Sequence, residues 1–459
     1  MRTQNLTWIV ASLALAGCSV GPDYQRPETP TPQAWSSQAG IQSWPDAEWW
    51  RGFQSAELDG LMQDARSANF DLAVAVARLK QANAQAIIAG APLMPSVGAG
   101  AGAERQRVRP SYATDHIGFS ASLTASYELD FWGELADQAN AARFAANSSA
   151  FDRQTAELTV QSSVADSYFS LLSLNERVKL AEDNVRASEG VLDAYKARFE
   201  VGTASELDLA QQQNVVDEQR AALPPLLEQQ RQTRDALAVL VGQLPENLKA
   251  PAGSLEGLRL PAVAAGLPSG LLTRRPDVQS AEARLQSANA NVKAAVAAMF
   301  PSITLTAQGG GASGALSDLF KPAGIFYALV GGASQPIFRG GALEGGRLLS
   351  EGQYEEQTAV YRKAVISAFA DVEDALAAVE LEAKREVAQA AAVSSARKAY
   401  DIAQAQLYSG TIDILTVLNT QRSLFQAEDL LAQARLGHAQ AVVSLYKALG
   451  GGWERTEES

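Results

Sequence analysis

The chain has 459 residues, 47% hydrophobic and 19% charged, which excludes a chain disordered by composition. Its formal net charge is -13 without a basic cluster, which excludes a nucleic-acid binder, because neutralising phosphates needs Lys and Arg. The acidity has two readings, a solubilising surface or a cation-attracting lumen.

The N-terminus reads as a processing signal over residues 1–17. Arg2 supplies the positive start. Leu6 to Ala16 is apolar but too short for a bilayer span, which needs roughly 20 residues. The run ends in Leu15-Ala16-Gly17-Cys18, small residues before the only cysteine of the chain, as in a bacterial lipobox. Cys18 is therefore the expected lipidation site, carrying a covalent diacylglyceryl group and an N-terminal acyl chain. Ser19 stands where an Asp would favour retention in the inner membrane, so transfer to the outer membrane is the expectation. Multiple acyl chains anchor stably where one would not. Residues 18–56, rich in Pro, Ser, Gln and Trp, read as lipid anchor and extended tether, with Trp44, Trp49, Trp50 and Phe53 packing it onto the body.

The rest of the chain is a duplication. RLKQANAQ at 78–85 matches RLQSANAN at 284–291, and Pro95-Ser96 and Asp71 match Pro301-Ser302 and Asp277, all at an offset of 206. Val201-Gly202-Thr203 and LAVLVG at 237–242 match Ser409-Gly410-Thr411 and LYKALG at 445–450 at an offset of 208. We expect a first repeat at 57–250, a linker at 251–275, a second repeat at 276–452 and a tail at 453–459.

Each repeat opens with a helix, about 57–91 and 276–299, stopped by Pro95 or Pro301. A strand pair follows, at 96–130 and 302–338. Ile117, Phe119, Ala121, Leu123, Ala125, Tyr127 and Leu129 alternate with Gly118, Ser120, Ser122, Thr124, Ser126 and Glu128, a period of two with one apolar face. Strands of this length suit a tilted bilayer crossing. Long helical hairpins then occupy 134–241 and 342–449. Glu134 to Glu200 contains no Pro and only Gly190, and Gln353 to Ser409 contains neither Gly nor Pro. Such stretches make helices on the order of 90–100 Å, too long to bury themselves in one globule, so they must pack side by side. Gly202 and Gly410 suit the left-handed position that ends a helix, before a tight reversal. Pro224-Pro225 is expected to interrupt or kink the first return helix.

Four strands per chain cannot close a barrel, since single-chain outer-membrane barrels use at least about 8, and open edges are not tolerated in lipid. The chain must therefore supply a sector of a ring closed by cyclic symmetry.

The lipobox, WWRGF at 49–53 with Leu58, NFDLAVAVARL at 69–79, LDFWG at 129–133, LLTRRPDVQSAEARL at 271–285, QPIFRGG at 335–341 and GTIDILTVLNTQRSLFQAEDLLAQAR at 410–435 carry a resemblance. Over essentially all of its mature length the chain resembles the TolC/OprM/NodT-type outer-membrane efflux proteins, in their lipoprotein branch. The resemblance implies an α+β membrane fold. A homotrimer would form a 12-stranded transmembrane β-barrel continued by a periplasmic α-helical barrel. It implies a periplasmic membrane-fusion adaptor and an inner-membrane RND pump as partners, and export of small molecules such as drugs. The tips at Gly202, Thr203, Gly410 and Thr411 would meet the adaptor. The gate would lie a turn beyond them. Where the family carries acidic residues this chain has Thr416 and Asn419, whose first-repeat equivalents are Asp208 and Gln211; Glu206 and Asp413 lie nearby and could supply charge. These carboxylates also suit a solvated helix face.

Enzyme classes find no support. The two histidines, His116 and His438, lack neighbours at metal-ligand spacing, and no phosphate loop, dinucleotide fingerprint or nucleophile elbow is present. A secretion duct for an ABC exporter is the alternative within the same architecture. A soluble coiled-coil scaffold would leave the strands and the lipobox without a role.

Overall fold

The computed structural model describes residues 20–32, 34–35, 44–108, 114–249, 251–263 and 268–452. The processing signal, Cys18, Ser19 and the C-terminal tail lie outside the described residues. The helices are α1 (Ala56–Ala68), α2 (Phe70–Gly90), α3 (Glu134–Glu200), α4 (Glu206–Leu240), α5 (Pro268–Arg274), α6 (Pro276–Ala297), α7 (Ala342–Tyr408) and α8 (Ile414–Ala448). The strands are β1 (Ser96–Val108), β2 (Thr114–Leu129), β3 (Ser302–Ser313) and β4 (Ile325–Ser334). The long helices α3 and α7 have 67 residues each and the return helices α4 and α8 have 35 each. None of the described helices is long and apolar enough to cross a membrane. The chain divides into two compact units, one of Met1–Thr29, Ala77–Phe151 and Gln279–Lys363, the other of Pro30–Val76, Asp152–Val278 and Ala364–Ser459.

The first unit holds the sheet, antiparallel throughout in the order β1-β2-β3-β4. Its register places Ala99 opposite Leu123, Leu123 opposite Gly309, and Gly309 opposite Tyr327. Because side chains alternate along a strand, this pairing collects Val97, Leu123, Tyr127, Leu305, Tyr327 and Leu329 on one face and Ser122, Thr124, Thr306 and Gln308 on the other. Tyr327 and Leu329 are 85% and 80% exposed, although apolar contact is what their chemistry favours. At Gly310 a Cβ would lie 2.1 Å from the Ala121 carbonyl oxygen, so strands β2 and β3 approach where only glycine fits. β4 ends at Ser334, short of the expected 338, because Pro336 offers no N–H to a ladder.

The LDFWG junction acquires a physical reason. Trp132 donates its indole N–H to the Pro301 carbonyl at 2.8 Å and stacks on Phe300 at 4.9 Å. Asp130 accepts the Ala136 N–H at 2.7 Å, capping the start of α3.

The second unit is centred on an apolar core. Trp49, Trp50 and Phe53 bury against Leu58, Met62, Phe169, Leu171, Leu237, Val241 and Tyr446. Trp49 stacks on Tyr446 at 4.9 Å and Phe53 lies 4.8 Å from Phe169. Trp44 packs on Gly270 and takes the Arg274 guanidinium on its ring at 5.0 Å.

The duplication recurs here as contacts. The helix expected over 57–91 breaks at Asn69, which is buried and extended. Its Nδ2 donates to the Leu240 carbonyl at 2.8 Å and its Oδ1 accepts the Leu72 N–H at 3.0 Å. The second repeat breaks at the matching place, Arg275, between α5 and α6; α5 falls in the stretch expected to be linker. Arg275 donates to the Ala448 carbonyl at 3.3 Å and the Ala368 carbonyl at 3.4 Å, and pairs with Asp277 at 2.7 Å and Asp371 at 2.9 Å. Gly242 and Gly450 follow the return helices with φ of +71° and +88°. A Cβ at either would lie 2.2 Å from a backbone oxygen, that of Ala68 or Arg274. The RRPDV segment is thus a helix junction that ties the start of α6 to the middle of α7 and the end of α8.

Pro224 and Pro225 do not interrupt α4. The helix is packed on both sides of them, at Val215 in one cluster and Leu237 in the other, and tertiary packing carries a helix more than its local propensity does.

Candidate functional site

The two hairpin turns are built alike. Gly202 and Gly410 have φ of +76° and +72°, the left-handed conformation that ends a helix at least cost in glycine. Gly202 and Thr203 donate their N–H groups to the carbonyls of Phe199 and Arg198 at 2.9 and 2.8 Å, and Gly410 and Thr411 donate to Leu407 and Gln406 at 3.1 and 3.0 Å. Each threonine adds its hydroxyl to the same carbonyl its N–H uses, at 3.0 Å in both repeats. The Gly-Thr pair therefore satisfies the last carbonyls of α3 and α7, which would otherwise point unpaired from the helix end.

Beyond the turns the repeats exchange residues. Ser205 starts α4: its Oγ accepts the Asp208 N–H at 3.1 Å while Asp208 accepts the Ser205 N–H at 2.9 Å and hydroxyl at 2.8 Å. Asp413 starts α8: its Oδ1 accepts the Thr416 N–H at 2.9 Å and the Thr416 hydroxyl at 2.7 Å. Hydroxyl then carboxylate in one repeat becomes carboxylate then hydroxyl in the other. Each return helix keeps one capping carboxylate at its positive N-terminal end, where a negative charge is favoured, and α4 carries Glu206 there as well. The hydrogen bonds from Thr416 hold the Asp413 carboxyl below its ordinary range.

The tips pack together through Tyr195, Val215, Ile414 and Leu418, with Val191, Leu209 and Leu407 at the margin. Burial pushes the Tyr195 hydroxyl upward; the Asp208 and Asp413 carboxylates add to this and Arg198, over the ring at 5.3 Å, opposes it. Asp208 and Asp413 are thus gathered about one tyrosine. Glu206, Asp413, Thr416 and Asn419 are exposed in the protomer, and Asp208 and Gln211 half-buried.

Further from the tips, ion pairs link neighbouring helices: Arg220 with Glu189 at 2.6 Å, Arg422 with Glu218 at 2.9 Å and Arg177 with Asp429 at 2.6 Å. Neither these pairs nor Gln212, fully buried with its Nε2 on the Ser188 carbonyl at 2.8 Å, is among the residues expected from the sequence. The three- and four-residue spacing of Gln212 to Val215 and Val216 was the available signal for its burial. His438 pairs with Glu386 at 2.8 Å. No group of His, Cys, Asp and Glu suited to a metal ion occurs among the described residues.

This architecture has known relatives. The family model described as outer membrane efflux protein matches twice, over residues 61–243 and 267–451, once per repeat. The chain is 40% identical to the pyoverdine export outer membrane protein OpmQ of Pseudomonas putida over 98% of both chains. It is 34% identical to the probable efflux pump outer membrane protein TtgC of the same organism, over 99% of this chain and 96% of that one. Among solved structures the CmeC outer membrane channel of Campylobacter jejuni superimposes with a TM-score of 0.92 at 25% identity, covering 96% of each chain.

Proposed function

Because the chain belongs to the outer membrane efflux protein family, and is an outer-membrane efflux duct, we propose that it works as a homotrimer that passes small molecules delivered by a periplasmic adaptor and an inner-membrane RND pump. One observation carries the reading. The four-stranded sheet has an apolar face and two edges, β1 and β4, each paired on one side only. Such edges are costly in lipid, and pairing β4 of one copy with β1 of the next removes all of them only in a closed ring. Three copies give a 12-stranded barrel whose polar face lines the lumen. The repeats at 57–250 and 276–452 each contribute two strands and one long hairpin. Detergent-extracted protein is expected to run as a dissociation-resistant trimer and to give single-channel conductance in planar bilayers. A monomer without conductance would count against the reading.

The finer assignments follow. Cys18 carries the lipid, which mass spectrometry of the N-terminal peptide tests. Gly202, Thr203, Gly410 and Thr411 present the adaptor-facing surface. Asp208 and Asp413, with Glu206, Gln211, Thr416 and Asn419 beside them, form the mouth; three carboxylates per protomer would favour cations there. Opening is a shift of packed helices between two arrangements, and the Arg220–Glu189 and Arg422–Glu218 pairs must rearrange with it. The duct itself does no chemistry. The name of OpmQ, a pyoverdine export protein, favours export of small molecules over protein secretion. Retention of a candidate compound by cells lacking the gene, reversed by complementation, tests the cargo.

A further inference from the structure

Helix α6 carries two stripes that do different work. Ser280, Arg284 and Ser287 face α3: Ser280 and Arg284 reach Ser148 at 3.0 Å each, and Ser287 donates to the Ala141 carbonyl at 2.8 Å. Glu282, Asn289 and Lys293, spaced by seven and four residues, form a second stripe, and along it lies the N-terminal tether. Arg26 makes a forked ion pair with Glu282, its Nε at 2.8 Å, and Tyr24 donates to the same carboxylate at 3.2 Å. Asn289 donates to the Pro22 carbonyl at 3.4 Å, and Lys293 reaches Asp23 at 3.4 Å. Gly21 crosses so close to Lys293 that a Cβ would lie 3.2 Å from its Cγ. Val20 then donates its N–H to the Trp132 carbonyl at 3.3 Å, at the junction of β2 and α3.

We propose that this stripe of α6 is a built receptor for the chain's own N-terminal tether, and that Glu282 is the positioning residue that sets the register at which the tether joins the body. Glu282 is 8% exposed, so its charge needs a partner, and Arg26 supplies it bidentately. Tyr361, fully buried, lies near enough to feel both charges. The duplicate helix supplies the contrast. At an offset of 206 the positions of Glu282, Asn289 and Lys293 are held in α2 by Val76, Asn83 and Ile87. Val76 and Ile87 are 53% and 75% exposed. The repeats diverged here: one helix carries a counter-charge for each charge of an extended strand, Glu282 for Arg26 and Lys293 for Asp23, and the other does not. The consequence rests on the lipid reading of Cys18. Cys18 lies two residue steps before Val20, with only Ser19 between them, a reach of at most about 7 Å, so a latched tether brings the acyl chains out beside the strand-to-helix junction, level with the start of the apolar sheet face.

The test uses the full-length lipidated protein with Gln25, an exposed tether residue, changed to Cys and carrying a nitroxide. The label is expected to be immobilised in the parent, and its correlation time to shorten several-fold in Glu282→Ala and Arg26→Gln. In the charge exchange Arg26→Glu with Glu282→Arg it is expected to return toward the parent value. Arg26→Gln lies on the tether and leaves the α6 fold untouched, so it remains informative where Glu282→Ala fails to assemble. An immobilised label in Arg26→Gln would overturn the proposal. Protein without Gln25→Cys should take up no label, because Cys18 is acylated; uptake there would sink the lipid reading alone, and the latch would then be measured in a Cys18→Ser background.

Discussion

Asp166 in α3 offers a sharp test, because the structure makes it unfavourable. Its Oδ1 is buried without a hydrogen-bond partner. Burial raises its pKa from 3.8 to about 6, with Lys447 opposing. A carboxylate whose folded pKa lies above its unfolded value takes up protons on folding. It leaves stability untouched below the unfolded pKa, lowers stability as pH rises between the two values, and holds that loss above the folded pKa. Two pKa units correspond to a ceiling of about 3 kcal/mol. Asp166 borders a polar cleft of about 440 Å³ that keeps it in touch with water, so roughly 1–2 kcal/mol is the expected effect. Asp166→Asn should therefore unfold about ten-fold more slowly in urea at pH 7.5 and at the parent's rate near pH 3.5. The unfolding rate is the right observable, since a membrane-inserted oligomer does not refold reversibly. A variant that is slower by the same factor at both pH values, or faster at pH 7.5, refutes the reasoning.

Other expectations follow from the repeat contacts. Arg275→Ala leaves two carbonyls and two carboxylates without their donor and should cost about 3–5 kcal/mol, whereas Asn69→Ala, losing two bonds, should cost about 1–2 kcal/mol; yields of folded trimer would rank them. Gly410→Ala meets open space and should cost about 1 kcal/mol for its left-handed φ. Gly450→Ala also drives a Cβ into the Arg274 backbone and should abolish assembly at 37 °C. Asp413 has a depressed pKa, so its cap on α8 is present above the normal carboxylate range and fades as pH falls through its folded value; amide exchange at the tip, corrected for intrinsic rates, should show Thr416 protected at neutral pH and released in strong acid. Asp208→Asn with Asp413→Asn should lower cation over anion selectivity in bilayers, and unchanged selectivity would move the charged ring elsewhere.

Much of this protein was legible in one dimension because its elements are long and locally coded. Period-two alternation, the breaker-free runs and the Gly-Thr turns each follow from backbone chemistry that acts within a few residues. The duplication could be read because two copies solved the same packing problem with matching residues. The gate was less legible. Read by alignment, Thr416 opposite Asp208 looks like a lost carboxylate; the structure shows a reciprocal exchange with Ser205 and Asp413 that preserves a capping carboxylate at each helix start. Position-by-position comparison misses this because either end of a three-residue cap can carry the oxygen.

What sequence by itself determined was the set of elements, their order and the need for further copies, since too few strands and unpaired edges are matters of counting. Tertiary structure alone decided the partners across long sequence separations: Arg275 on the middle of α7 and the end of α8, Gly242 and Gly450 against another helix's last carbonyl, and Glu282 as the seat of Arg26. Those choices depend on which face of a helix meets which neighbour. A buried charge is least costly where folding delivers its counter-charge, and nothing local in α6 announces that the counter-charge comes from the N-terminal tether.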